Sequence, residues 1–343
     1  MLDFKKVTSA LNIHEVLSQE EDNVLIFYSE TSVDKNKIKL NKSNFTCYST
    51  KEVTKEKNRI DNLFKDLNKY QKIYSIGGGS ALDIGKYLSY KFHIPVIAVP
   101  TMLSTNAYAT NKVALRIDGK VVSIDAVLPS KVYFDREILL CSKDINLYGL
   151  VDIFSIYTAL NDWDLAIKYN NEEKHNEYIS AKELLKTASN YVLEKDKDEI
   201  EENVEFIYEI IGESGLITNI YGCGKPESGS EHIYAKLLEK EVNIPHAVSV
   251  TNGIVLMIIS RILFFKETDL SDSDIKIINI LKRLNMFELN LKYNINFELI
   301  KKTYKSITPR EDRFSIVNLI YKDEDLKDKV LDKYKEIMKG YLK

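Results

Sequence analysis

A chain of 343 residues, 44% hydrophobic and 29% charged, holds enough apolar material for one large core or two moderate ones. Its 48 lysines and arginines against 51 acids leave a formal net charge of -3, which argues against attachment to nucleic acid by bulk electrostatics. Three widely spaced cysteines, Cys47, Cys141 and Cys223, make neither a disulfide framework nor a thiolate metal site. No apolar run approaches the ~18–20 residues of a membrane helix, and the opening MLDFKKVTSA has no signal-peptide core. These features set the expectation of a cytoplasmic protein with neither a membrane nor a nucleic-acid partner.

In chain order, strand candidates are Val24–Tyr28, Phe45–Tyr48, Ile73–Ile76, Val96–Val99, Val113–Ile117 and Val132–Phe134. Between them lie amphipathic stretches such as Lys55–Asn68, where Ile60, Leu63, Phe64 and Leu67 fall at helical spacing. This β–α alternation predicts an open, largely parallel sheet covered by helices. From Ser142 onward strand-like runs become scarce and long periodic segments dominate, such as Glu199–Tyr221 and Ile275–Leu284. The expected division is an α/β domain over 1–141 and an all-helical one over 142–343.

Three consecutive glycines, Gly77-Gly78-Gly79, follow the strand Ile73–Ile76 and precede the helical pattern Ala81–Tyr90. Glycine there lets a phosphate approach the backbone, and the free N–H groups of a new helix favour an anion. The run matches neither the GxxxxGK[ST] loop nor the GxGxxG fingerprint, so a ligand-free tight turn is the competing reading. A second strand ends in Pro100-Thr101-Met102-Leu103-Ser104-Thr105-Asn106, placing hydroxyl and amide groups where open sheets bind ligands. The pair of polar strand ends points to a nucleotide site.

Among five histidines, His232 lies in a helix entrance, Glu227-Ser228-Gly229-Ser230-Glu231-His232, and His246 follows Pro245 at another. With an acid such as Asp152, after a break at Gly149, they supply two nitrogens and one carboxylate, a set that leaves a metal an open position. Spacing alone does not separate that from ordinary hydrogen-bonded histidines.

Taken in order, Gly77-Gly78-Gly79-x-x-x-Asp83-x-x-Lys86, Pro100-Thr101, Asp152, Ser228-Gly229-Ser230-Glu231-His232 and His246 resemble the superfamily of iron-containing alcohol dehydrogenases, glycerol dehydrogenases and dehydroquinate synthases. Within it, Thr158-Ala159-Leu160-Asn161-Asp162-Trp163-Asp164-Leu165-Ala166 and the SGSEH segment resemble glycerol-1-phosphate dehydrogenases. The resemblance implies a Rossmann-like N-terminal nucleotide-binding domain, an all-α C-terminal metal-binding domain as in dehydroquinate synthase, and catalysis in the cleft between them. It implies NAD or NADP as cofactor and a homodimer or larger ring. By the same resemblance Gly77, Gly78, Gly79, Ser80, Asp83 and Lys86 fall on the pyrophosphate-binding segment, and Thr101, Ser104 and Thr110 line the cofactor. Asp152, His232 and His246 fall on the metal ligands. Iron-type members carry a further histidine where this chain has Ile156, so zinc is the expected metal.

Other positions depart from the pattern. Asn106 replaces an aspartate near the substrate, Lys236 replaces a second histidine after the first ligand, and His246-Ala247-Val248 replaces the usual His-Gly-Glu. Lys112 falls where dehydroquinate synthases hold an anionic substrate group, and with Lys236 it is expected to grip a phosphate or carboxylate. The leading expectation is reversible hydride transfer between NAD(P)H and the carbonyl of a small phosphorylated polyol or sugar. The alternatives are a dehydroquinate synthase-like cyclase or lyase without net redox change, and a nucleotide-binding relative that has lost catalysis.

Overall fold

The computed structural model describes residues 8–343. Contacts group the chain into two compact units, one running up to Gly149 and including Glu201–Asn219, the other formed by Leu150–Ile200 and Ile220–Lys343.

In the first unit the strands are β1 (Thr8–Ala10), β2 (Val24–Tyr28), β3 (Phe45–Ser49), β4 (Lys72–Gly77), β5 (Val96–Pro100), β6 (Lys112–Ile117), β7 (Lys120–Asp125) and β8 (Lys131–Phe134). Six form one parallel sheet in the order β1-β8-β5-β4-β2-β3. Helices α1 (Ile13–Gln19), α2 (Glu30–Lys35), α3 (Thr50–Val53), α4 (Lys57–Leu63), α5 (Gly79–Phe92) and α6 (Arg136–Leu140) connect the strands. Strand alternation builds a core on each face: Leu25 and Phe27 pack with Ile73, Ile84 and Leu88, while Val24 and Ile26 pack with Tyr74, Ile76 and Ile13. From β2 the chain steps outward to β3, then returns to β4 on the other side of β2 and continues to β5 and β8. The direction of travel reverses between β2 and β4, and the carboxyl ends at such a reversal are where open sheets bind ligands.

The expected strands recur with no end moved by more than one residue, but Val113–Ile117 does not join the parallel sheet. It pairs antiparallel with β7, a strand the sequence reading missed, through the two-residue turn Asp118-Gly119 with φ of 50° and 74°. An Asp-Gly pair with both residues at positive φ is a strong hairpin signal. The segment Lys55–Asn68 is helical only over α4, because Phe64 leaves the helix in an extended conformation and buries its ring.

The remaining helices are α7 (Lys143–Asn170), α8 (Asn176–Glu194), α9 (Lys197–Glu202), α10 (Val204–Tyr221), α11 (Ser230–Glu241), α12 (His246–Phe264), α13 (Asp272–Arg283), α14 (Glu288–Lys292), α15 (Phe297–Lys305), α16 (Ile316–Ile320) and α17 (Glu324–Ile337). The periodic run Glu199–Tyr221 is broken at Asn203, whose carboxamide oxygen accepts from the Phe206 amide at 3.1 Å and starts α10 afresh. Whereas the sequence reading sets one boundary at 141/142, the first unit extends into α7 and takes most of α10. There the Asn219 side chain holds the Ala109–Asn111 loop through three hydrogen bonds of 2.8–3.1 Å, and Tyr208 stacks on Tyr108 at 4.8 Å.

One run, contrary to the expectation from the sequence, does reach membrane-helix length. Among the described residues α12 is long and apolar enough by length and composition, with a mean hydropathy of 1.9. It is the core helix of the second unit, 83% buried, packed against α11, α16 and α17.

Candidate nucleotide turn and metal centre

The glycine run sits at the carboxyl end of β4, beside the reversal point. Gly77 has φ of 152°, and a Cβ there would meet Ser29 Cβ at 3.0 Å and Ala81 Cβ at 3.1 Å. Ser29 follows β2, so the glycine lets the ends of β2 and β4 close on each other. Gly78 caps α5 without any capping side chain, leaving its first N–H groups to the open end.

Asp83 and Lys86 turn inward from α5. Asp83 accepts from Lys55 Nζ at 2.9 Å and the Ala114 amide at 3.3 Å. Lys86 is fully buried and donates to the carbonyls of Thr110 and Lys112 at 2.9 and 2.7 Å; burial pulls its pKa down to about 8. Both residues clamp the β5–β6 connection to α5. Thr101 is likewise buried, bonded to Ser32 Oγ at 2.8 Å, and Thr110 is bonded to Asn219 at 3.1 Å, whereas Ser104 is partly exposed. Asn106 Nδ2 reaches Ser214 Oγ at 3.5 Å, and Lys112 pairs with the exposed Asp125.

In the second unit, one face of α7 carries Asp152, Ser155, Thr158 and Asp162, spaced at three and four residues. Ser155 Oγ donates to the Glu227 carbonyl at 2.8 Å, Thr158 Oγ1 to Glu231 Oε2 at 2.6 Å, and Asp162 Oδ2 accepts from the Ser230 amide at 2.6 Å. The Thr158–Asp162 stretch therefore docks the Ser228–His232 segment against the helix that carries Asp152. Burial and the neighbouring Glu231 charge push the Asp162 carboxyl up to about 7.

This docking sets the imidazoles. His232 and His246 lie with ring centroids 5.0 Å apart, and their Nε2 atoms face Asp152 Oδ1 at 3.8 and 3.7 Å. One ligand atom from each of the three lies within 4.8 Å of the others. Each Nδ1 is held at 2.7 Å by a carboxylate, Glu231 for His232 and Glu239 for His246. A carboxylate only accepts, so each Nδ1 carries its proton and each Nε2 is the ring atom turned toward Asp152. Asp152 Oδ1 is buried there with no hydrogen-bond partner. An orphaned carboxylate oxygen facing two oriented imidazoles, beyond hydrogen-bond length, fits a divalent cation. Glu231 and Glu239 were missed as functional residues; the signal for Glu239 is its place two helical turns after His232.

Burial raises the Asp152 carboxyl against the pull of His246 and His232. For His246 burial opposes the charged ring, but Asp152 and Glu239 outweigh it and push the pKa up to about 9. Without a cation, His246 thus holds a proton that a metal must displace. Metal uptake is expected to release this proton below pH 9, with apparent affinity rising about tenfold per pH unit and levelling above it. Calorimetry in buffers of different ionisation enthalpy checks this, and uptake without pH dependence would refute it. In the metal-free protein the raised pKa favours the fold fully below the ordinary value of 6.5, an advantage lost as pH rises through about 9.

The sequence profile of the family described as iron-containing alcohol dehydrogenase matches residues 12–142. The chain is 33% identical over 172 residues to a glycerol-1-phosphate dehydrogenase [NAD(P)+] of Methanosarcina acetivorans, covering 49% of this chain and 48% of that one. Against the protein of that name from Pyrococcus furiosus it is 27% identical over 263 residues, covering 73% and 75%. It spans about half the length of the first curated relatives it matches. Among solved structures, a probable glycerol dehydrogenase from Sinorhizobium meliloti superposes with a TM-score of 0.64 at 14% identity, covering 97% of both chains. A sulfoacetaldehyde reductase from Bifidobacterium kashiwanohense in complex with NAD+ gives 0.60 at 15% identity, covering 96% of this chain and 93% of that one. Residues 12–142 thus match the iron-containing alcohol dehydrogenase family, and the parallel sheet with its glycine turn and the helical second unit have the fold of these solved structures.

Proposed function

We propose that this protein is a metal-dependent, NAD(P)-linked oxidoreductase, similar to glycerol-1-phosphate dehydrogenase, that transfers hydride reversibly between nicotinamide and the carbonyl of a small phosphorylated polyol. The observation that carries this reading is the orphaned Asp152 Oδ1 facing the carboxylate-oriented Nε2 atoms of His232 and His246. These three residues would hold the cation. Zinc suits two nitrogens and one carboxylate, and the position of the extra iron-type histidine is Ile156, 1% exposed. The family resemblance extends the reading to a cytoplasmic homo-oligomer.

A divalent metal supplies a Lewis acid that polarises a carbonyl oxygen. The chain's own residues do the rest. Glu231 and Glu239 fix both imidazoles in one tautomer, and Thr158 and Ser249 hold those carboxylates in turn. The uncapped first turn of α5 would receive the pyrophosphate at Gly77–Ser80, with Asp83 and Lys86 bracing the turn from behind. Asn106 has no proton to lose, so it would orient the substrate by hydrogen bonding rather than act as an acid.

The test follows nicotinamide absorbance while zinc-loaded and chelator-stripped protein are offered dihydroxyacetone phosphate with NADH or NADPH. Oxidation by the loaded protein alone is expected; full turnover without metal would remove the reading, and turnover without net nicotinamide change would favour the cyclase. Substituting Gly77→Ala introduces strain at φ of 152° and presses on Ser29. It is expected to raise the KM for nicotinamide about tenfold with metal content unchanged. An unchanged KM would move the cofactor away from this turn.

A further inference from the structure

Beyond the three metal-facing side chains, the second unit gathers cations at one place. Lys236 lies four residues after His232 on α11, so one helical turn of about 5.4 Å separates them on the same face. It is exposed and, among the described residues, makes no ion pair or hydrogen bond. Arg310 and Arg313 come from the loop between α15 and α16, where they form an isolated antiparallel bridge. Arg313 Nη1 donates to the Ser228 carbonyl, which ties this loop to the segment leading into α11. Arg310 is gripped by Asp312, Nε to Oδ1 at 2.8 Å and Nη2 to Oδ2 at 2.5 Å. The Ile316 amide, donating to Asp162 Oδ1 at 2.8 Å, fixes the loop's exit to α7. The loop is thus anchored through Ser228 and Asp162, the same pieces that set His232.

The charges feel one another. Loss of hydration, then Arg310 and Arg313, lower the Lys236 ammonium below its ordinary pKa; burial and Arg310 lower Arg313 as well. Lys236 in turn opposes protonation of His246, which places its charge near the metal-facing residues. Lys225 also senses Arg313, but it is buried and committed to Glu172 over the Trp163 ring. Of the three cations only Arg310 is paired directly with Asp312, while Lys236 feels Glu239 and then Asp312 at a distance, an arrangement that a dianion would complete. Guanidinium forks and an ammonium suit a tetrahedral oxyanion better than a planar carboxylate needing one fork.

We propose that Lys236, Arg310 and Arg313 form the anion-holding end of the substrate site, taking the phosphate monoester of a short compound whose carbonyl or hydroxyl end reaches Asp152, His232 and His246. The single turn from His232 to Lys236 matches the reach of a three-carbon skeleton. This assignment rests on the reading of those three residues as the metal site. It gives Lys236 two arginine partners in its own unit in place of the expected partner Lys112.

The test uses zinc-loaded wild type with Lys236→Gln and Arg310→Gln; Arg313 is left intact because it anchors Ser228. Titration calorimetry with inorganic phosphate is expected to show binding that each substitution weakens about tenfold or more while zinc content is retained. In steady state, the preference in kcat/KM for dihydroxyacetone phosphate over dihydroxyacetone is expected to fall by a similar factor. Failure of the wild type to bind phosphate, or variants that bind with wild-type affinity, would overturn the proposal. Phosphate held through these residues in a protein that oxidises no nicotinamide would uphold the anion site and sink the oxidoreductase reading instead.

Discussion

Replacing Asp152 with asparagine is expected to strip the protein of its metal and of turnover together while leaving the fold intact. Asp152 Oδ1 makes no hydrogen bond, so the amide breaks none at that atom, and burial already raises the carboxyl toward its neutral form. The lost charge is the anionic member of a three-ligand set. Structural zinc sites bind with roughly 10–16 kcal/mol in all, so losing one ligand should cost on the order of 3 kcal/mol, a more than hundredfold loss of affinity. The His246 pKa should fall at the same time, because Asp152 is the first of the groups that raise it. Chelator competition and thermal melting read the two effects separately. Wild-type zinc affinity in Asp152→Asn would exclude Asp152 as a ligand.

The second large effect is expected from Gly253→Ala, a substitution seven residues beyond His246 on α12 and facing Glu231 of α11. A Cβ at Gly253 on α12 would lie 2.6 Å from the Glu231 carbonyl oxygen and 3.0 Å from its Cα, both backbone atoms with no freedom to swing aside. The helices must separate, at about 1–3 kcal/mol of overpacking. Glu231 is fully buried and bonded to the Gly229 amide, Thr158 and His232 Nδ1, so it cannot shift without moving the imidazole. Metal affinity should fall about 10–100-fold, as when a carboxylate behind a metal-bound histidine is lost. The expected signature is a lowered melting temperature with weakened zinc binding in the same variant. Unchanged zinc affinity would mean that the α11–α12 contact does not set His232.

Much of this was legible in the residue pattern, for identifiable reasons. Runs such as Val24–Tyr28 and Val96–Val99 read as strands because a sheet covered on both faces needs continuous apolar segments. The glycine run stood out because close backbone approach leaves few other residue choices, and its place in a strand-to-helix turn follows from its neighbours. The hairpin at Asp118-Gly119 is also legible in its turn residues, which take positive φ at both positions. In the apolar α12 segment the polar side chains are satisfied within the fold, Ser249 bonding to Glu239 and Asn252 to Asn290.

The sequence by itself determined the alternation of elements and the polar strand ends, since these depend on local periodicity and side-chain chemistry, whereas Asp152, His232 and His246 were joined only by the family resemblance. Only the tertiary structure decided that β2 and β4 are the strands between which the chain reverses, which brings Ser29 to the glycine turn. It alone decided that α10 packs with the first unit, that Lys86 is spent inside on two carbonyls, and that Glu231 and Glu239 stand behind the histidines. It also brought Arg310 and Arg313 to Lys236 across more than seventy residues of chain. These are long-range pairings, set by which faces bury together, and no local spacing in a single sequence encodes them.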